Sequence, residues 1–414
     1  MSPPAAEFIA IGSELLEPDR TEGNGAFISL RLGEIGVPLR FRTVVGDRMD
    51  DLQEALRTAL RRSSLIVATG GLGPTVDDVT REAASAVLGR PLVEDAAIVR
   101  GLEERFRTYG QPMPPQNRRQ AMVLRGAEVL ANPRGTAPGQ LIREGDRILA
   151  LLPGVPSEMR AMVDQELLPR LHGTGERLVS RVLRIAGLPE SEVDRRLEPV
   201  ARAAAPAEWT ILGSPGLVEI RLRERTAAGA APLHIPRLEA AIASILGPDL
   251  FGRDGETLEE VVGGLLLARG ATLAIAESLT GGAIAARVVE VPGASRYFRG
   301  GAVCYTDEAK RDLAGVPEAT LRAHGAVSEA TARAMAEGIR TRMGAHWGVA
   351  ATGFAGPEGG GPGQPRGTVI VAASGPDAAH AVGRRFPGDR RAVRERAVVS
   401  ALDLLRRLLL GVVP

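Results

Sequence analysis

Residues 65–78 read LIVATGGLGPTVDD. The charge-free opening, Leu65–Gly70, has the composition of a strand buried on both faces of a sheet. Gly70, Gly71 and Gly73 then allow a sharp turn that can aim backbone N–H groups at an anion. Thr75 and Asp77 stand where they can cap the helix expected over Thr80–Leu88, whose N-terminus favours phosphate. Asp77 and Asp78 offer paired carboxylates to a divalent cation. No GK[ST] follows, so this is not a Walker A loop. Taken alone, the stretch is equally a tight strand-to-helix turn with two capping acids. The rhythm on either side is what gives it meaning.

Before it come a strand (Glu7–Gly12), an Asn-capped helix (Asn24–Ile35), a strand (Pro38–Gly46) and an amphipathic helix (Asp50–Arg62) with Leu52, Leu56 and Leu60 on one face. After it come helices over Thr80–Leu88 and Ala96–Tyr109, strands over Gln140–Arg143 and Ile148–Leu152, and a helix opened by Pro156. This alternation predicts an open, mostly parallel sheet with helices on both faces. Residues 178–251 break the rhythm. A strand (Leu178–Ala186), a helix (Ser191–Ala203), a strand pair around Trp209–Arg223 and a helix (Pro236–Leu246) read as a small α+β module. The Gly-rich turns HGTGE and GRDGE flank it. The α/β rhythm then returns. Strands are expected over Thr272–Glu277, Ala302–Tyr305, His346–Thr352 and Thr368–Ala373, with helices over Thr280–Val289, from Ser328 to Met343, and over Asp389–Leu410. The expected fold class is α/β: two open α/β sandwich domains, residues 1–172 and 255–414, joined by the α+β module of residues 173–254.

The 414 residues include 51 Lys+Arg against 50 Asp+Glu, a net charge of +1 that supplies no nucleic-acid footprint. One cysteine, Cys304, excludes an internal disulfide framework and a Cys-based zinc cluster; in its apolar strand it reads as core. The start, MSPPAAEFIAIG, lacks signal-peptide character and no apolar run reaches membrane-spanning length, so a cytoplasmic protein is expected. Among the basic residues, 50 are arginine and one, Lys310, is lysine. In such a background a lone ammonium points to a task guanidinium cannot perform, namely acting as a neutral base after desolvation. Chance survival of one lysine is the alternative.

Two sets of loops gather chemistry. In the first domain IGSELL places Ser13 and Glu14 past strand one, and VGD places Asp47 past strand two. PRGTAPG and LPGVPSEM add small-residue loops with Gly135, Gly154 and Glu158. Singly these are turns; converging on the carboxyl edge of one sheet with Gly70, Gly71, Gly73 and Thr75, they predict a nucleotide pocket. In the last domain AESLTGG delivers Ser278 to a turn. The backbone N–H groups of Thr280, Gly281 and Gly282 there suit an oxyanion or a phosphate. Alone, Ser278 is a helix cap. The histidines (His172, His234, His324, His346, His380) show neither metal nor triad spacing, which leaves Lys310 to activate the serine and Tyr305 to relay or orient the proton. ATGFAGPEGG adds Thr352, Gly353 and Gly356 as phosphate or ribose contacts, or merely a mobile Gly/Pro loop. GSPG (Gly213–Gly216) fits a KH-type GxxG, but its proline, its lack of lysine and the nearby Glu219 favour a plain hairpin turn.

IGSELL, VGD, TGGLGPTVDD, GTAPG, LPGVPSEM, AESLTGG, VPGAS, AVCYTDEAK, HGAVSE and TGFAGPEGG, in this order, resemble the bacterial competence/damage-inducible CinA family over nearly the whole chain. The resemblance implies a molybdopterin-binding-like first domain with ADP-ribose pyrophosphatase activity and a KH-like middle. It also implies a C-terminal amidase that converts nicotinamide mononucleotide and water to nicotinate mononucleotide and ammonia in pyridine-nucleotide salvage. It puts the nucleophile at Ser278, with Tyr305 and Lys310 as partners and Thr352 nearby. It further implies a divalent metal (Mg, Mn or Co) in the first domain, on Asp47, Asp77 and Asp78, none for the amidase, and a homodimer acting on small-molecule nucleotides. The chain departs from the family pattern at Leu279, where the family has cysteine, and at Pro18, Glu22 and Gly23, where it has Gly, Asp and Thr. A non-catalytic nucleotide sensor in competence or DNA-damage response is the alternative of a different class.

Overall fold

Leu65–Thr69 lies inside a six-stranded sheet, flanked by the parallel strands Ala6–Ile11 and Arg147–Leu152. The full order is Leu39–Val45, Ala6–Ile11, Leu65–Thr69, Arg147–Leu152, Gly139–Glu144, Glu128–Leu130; the first four run parallel, and Gly139–Glu144 is antiparallel to both of its neighbours. Side chains alternate across it. Ile9, Ile11, Ile66 and Ala68 pack with Leu52, Leu56 and Leu60 of the helix Met49–Arg62. Phe8, Ala10 and Val67 meet Ile28 and Leu32 of the helix Asn24–Glu34 on the opposite face. The computed structural model describes residues 5–412 apart from 109, 172–174, 228, 358, 360–363 and 377–378, so Tyr109, His172 and part of the glycine run after Pro357 lie outside the described residues. The chain divides into two compact units, Met1–Val179 with Arg225–Pro232, and Ser180–Glu224 with Leu233–Pro414.

Two expected caps in the first unit are not made. Gly23, not Asn24, precedes the first helix; Asn24 spends its amide on the Gly154 carbonyl at 2.8 Å, while Glu22 accepts from the Gly25 N–H at 2.9 Å. Val79 occupies the N-cap of Thr80–Leu88, so neither Thr75 nor Asp77 caps it. A short antiparallel ribbon, Leu92–Glu94 with Met122–Leu124, escapes sequence reading because three-residue strands carry no periodic signal.

Two further sheets follow along the chain. The smaller has the order Glu208–Ser214, Leu217–Ala227, Glu176–Ala186, Leu250–Arg253, with the helices Glu190–Arg202 and His234–Leu246. The larger has the order Phe298–Val303, Leu273–Glu277, Trp347–Gly353, Thr368–Ser374, Ala379–Arg385, parallel over its first three strands and antiparallel over the rest. Leu273 and Ile275 pack with the helices Leu258–Ala268, Ala283–Val289 and Arg390–Leu409. Ala274 and Ala276 face Asp307–Ala314, Glu318–His324 and Glu329–Arg342. Ser328 and Asp389 cap their helices, accepting from the N–H groups of Thr331 and Ala392. The helix expected from Thr280 starts only at Ala283, because Gly281 and Gly282 turn through φ +61° and +94°. The strand expected to reach Tyr305 ends at Val303, which leaves Cys304 and Tyr305 on the following turn.

Candidate functional site

Ser278 stands at the carboxyl end of the strand Leu273–Glu277, and the residue before it sets the turn. Glu277 is buried, and its carboxylate accepts from the amides of Gly282 (3.0 Å), Ile284 (3.0 Å) and Ala285 (2.8 Å). One carboxylate thus satisfies donors that the start of a helix leaves orphaned. Sequence reading passed over Glu277, because an acid ending a strand carries no signal of what it will accept. The arrangement also corrects the expected amide cradle. Gly282 gives its N–H to Glu277 and Gly281 gives its own to the Ser278 carbonyl at 3.1 Å. The amides of Leu279 and Thr280 have no acceptor among the described residues. None of Thr280, Gly281 and Gly282 lines the pocket, and the Thr280 hydroxyl is buried without a partner.

That pocket encloses about 240 Å³ and gathers Ser278, Tyr305, Lys310, Thr352, Gly353 and Gly356, joined by Asp307 and Arg390. Lys310 rides on the helix Asp307–Ala314, whose N-cap Thr306 accepts from Ala309. Its side chain is 3% exposed, and Nζ lies 3.8 Å from Asp307 Oδ1, an ion-pair distance too long for a hydrogen bond. Burial pushes the ammonium below the ordinary lysine range, with Asp307 opposing. The Cys304 thiol is pushed up by its own burial and stays an inert core group. No hydrogen bond joins Ser278 to Lys310 among the described residues; they share a pocket wall. Tyr305, 57% exposed, accepts at its hydroxyl from Arg390 Nη2 at 2.9 Å rather than from Lys310. Arg390 Nη1 donates to the Gly356 carbonyl at 2.8 Å, and Arg394, one turn on, donates to the Thr280 carbonyl at 2.7 Å. The Thr352 hydroxyl donates to the Ala326 carbonyl at 2.9 Å, bracing the floor. Nothing in the sequence separates Arg390 and Arg394 from the other arginines; their spacing as i,i+4 at the start of a helix is the one local hint.

In the first unit a pocket of about 530 Å³ is lined by Glu14, Asp47, Gly70, Gly71, Gly73, Asp77, Asp78, Gly154 and Glu158, with Gly12, Gln120 and Thr136 added. Ser13, Thr75 and Gly135 do not line it. Ser13 N–H donates to Asp47 Oδ2 (2.7 Å) and Ser13 Oγ accepts from the Asp47 amide (3.1 Å); Thr75 gives its N–H to Asp78 (2.9 Å); Gly135 gives its own to Asn132 Oδ1 (2.8 Å). Gly70, at φ +111°, could carry no Cβ, which would stand 2.1 Å from the Ile11 carbonyl oxygen. The buried Arg81 holds the loop from beneath, donating to the carbonyls of Leu72 (2.7 Å) and Gly73 (2.9 Å), and Arg119 donates to that of Thr75 (2.6 Å). The acids do not fit an ion as arranged. Among the described residues no three His, Cys, Asp or Glu side chains are grouped to hold one, and Asp47 and Asp78 spend oxygens on the loop itself.

Three family models match the chain: a probable molybdopterin binding domain over residues 7–173, the damage-inducible protein CinA KH domain over 180–252, and the CinA C-terminal domain over 255–409. A putative competence-damage inducible protein of Symbiobacterium thermophilum is 46% identical over 98% of this chain and 99% of its own. A CinA-like protein of Acidobacterium capsulatum is 42% identical over 98% and 100%. The crystal structure of the protein CinA with unknown function from Thermoplasma acidophilum is 35% identical, covering 40% of this chain and 96% of that one, with a TM-score of 0.37. Among the described residues no helix is long and apolar enough to cross a membrane. Aligned with such relatives over nearly its whole length, the chain belongs to the CinA family.

Proposed function

We propose that the C-terminal pocket is an amidase that hydrolyses nicotinamide mononucleotide to nicotinate mononucleotide and ammonia. One observation carries this reading: the chain's single lysine is buried in the wall that also presents Ser278. Neutral Lys310 takes the Ser278 proton, and Oγ attacks the carboxamide carbon to give a tetrahedral oxyanion. The amide of Leu279, which lines the pocket and has no acceptor among the described residues, is the donor left to stabilise it, worth about 3–4 kcal/mol when well placed. Lys310 returns the proton to the amide nitrogen, and the C–N bond breaks to release ammonia and leave an acyl-serine. Water, deprotonated by the same lysine, then frees the carboxylate and restores Ser278. Amide and water account for every atom, so the scheme calls on no metal or cofactor. Arg390, with its guanidinium on Tyr305 and Gly356 at the rim, is placed to take the substrate phosphate.

For the first unit we propose nucleotide binding, with ADP-ribose as the family's expected ligand. Its glycine turns suit phosphate, but no hydrolytic step follows from acids that form no metal cage. The test of the amidase is ammonia release from nicotinamide mononucleotide by the wild type, Ser278→Ala and Lys310→Arg. Wild-type release with loss of about a thousandfold or more in each variant is expected. An active Ser278→Ala protein would overturn the nucleophile, and silence from all three would leave a nucleotide-sensing pocket. The homodimer is read in the same preparation by light scattering.

A further inference from the structure

The GSPG turn, Gly213–Gly216, is not used by the amidase, and the structure shows what faces it. It joins the strands Glu208–Ser214 and Leu217–Ala227. A Cβ on Gly216, φ +86°, would stand 3.0 Å from Val399 Cβ on the helix Arg390–Leu409. A KH-type GxxG turn clamps the backbone of a nucleic-acid strand, which requires the turn to be open along its length. Here a helix is pressed against it. What remains beside the turn is a cavity of about 740 Å³, a size that suits a single small ligand. Arg384 and Arg396 line it, with Phe386 and Pro215 as apolar surface and Glu190 as the one acid. Strand alternation puts Arg384 on the face of Val382, which packs against the core containing the closing helix. Arg384 has no acidic partner among the described residues, and Arg396 gives one N–H to the Pro387 carbonyl at 2.8 Å. Guanidinium groups with free N–H edges bind phosphate, and an aromatic ring among prolines offers a base a stacking surface.

We propose that this cavity, between the 213–216 turn and Arg384, Phe386 and Arg396, binds a free nucleoside phosphate as a ligand site separate from both pockets described above. The proposal does not depend on the amidase reading, since its test reads labelling rather than turnover. The full chain is irradiated with 8-azidoadenosine 5′-monophosphate and the labelled peptides are mapped by mass spectrometry. Label is expected on the peptide bearing Phe386 and Pro387. Arg384→Glu should lower it about tenfold or more, and Arg384→Lys should retain most of it. Melting curves matching the wild type show that the variants are folded. Label confined to residues 70–158 or 278–356 would overturn the site, as would labelling at Phe386 that Arg384→Glu leaves unchanged. Displacement of the label by a single-stranded RNA decamer but not by unlabelled AMP would show the turn serving nucleic acid instead, and also overturns it.

Discussion

Lys310 is costly where it stands: an ammonium with its side chain 3% exposed, whose nearest carboxylate is 3.8 Å away. Burial holds its folded pKa below the unfolded value of about 10.4. Between those two values the unfolded chain carries a proton the folded chain lacks, so stability climbs as pH rises through that window. Lys310→Met, which keeps the bulk and removes the charge, should therefore melt no lower than the wild type at neutral pH and be inactive. Its advantage should shrink as pH rises toward 10. Thermal melts at several pH values check this, and a penalty that stays constant with pH would deny the shift. Ammonia release by the wild type should rise with pH over the same ionisation, because only neutral lysine accepts the serine proton. The singularity of this residue was legible from composition alone. Its burial and its Asp307 partner were not, because both depend on where the helix Asp307–Ala314 packs.

The Ser278 turn is held as a unit by Glu277 from within and Arg394 from outside. Glu277→Gln keeps the volume but replaces a three-amide acceptor with a group that brings donors of its own. It should cost about 1–3 kcal/mol and reduce kcat more than it raises KM, since the amides beside Ser278 lose their frame. Denaturant unfolding and steady-state kinetics on one preparation measure both; unchanged kcat would show that the turn holds without the carboxylate. The strand and the following glycines were readable from AESLTGG, because buried strands and positive-φ glycines are local properties. Which amides remained free was not. Proximity in sequence offered Thr280–Gly282, and the structure commits Gly281 and Gly282 elsewhere.

Within the second unit the smaller sheet's module is tied to the closing helix by charge. Asp403 accepts from Arg407 Nε at 2.7 Å and from Arg406 at 2.6 Å, and Arg407 also reaches Asp249 at 2.6 Å, which Arg196 approaches at 3.2 Å. Asp403 and Arg406 are buried. Removing one member of such a network strands its partners, so Asp403→Ala should cost about 3–5 kcal/mol. Calorimetry should show the transition of residues 180–224 and 233–414 moving down while that of the other unit stays in place. Both transitions moving together would contradict the division into two units.

The order of strands, helices and glycine turns, the family, and the expectation that Ser278 and the lone lysine meet in one pocket all follow from residue order, because hydrophobic period, backbone permissiveness and side-chain chemistry are properties of short stretches. The fold decided the rest. Arg119 under the first glycine loop and Arg390 on Tyr305 depend on contacts between residues tens of positions apart, while Arg81 and Glu277 reach loops only five to nine residues away through turns whose shape the fold sets. An arginine among fifty becomes a functional group only when the fold aims its N–H groups at a particular carbonyl, hydroxyl or phosphate.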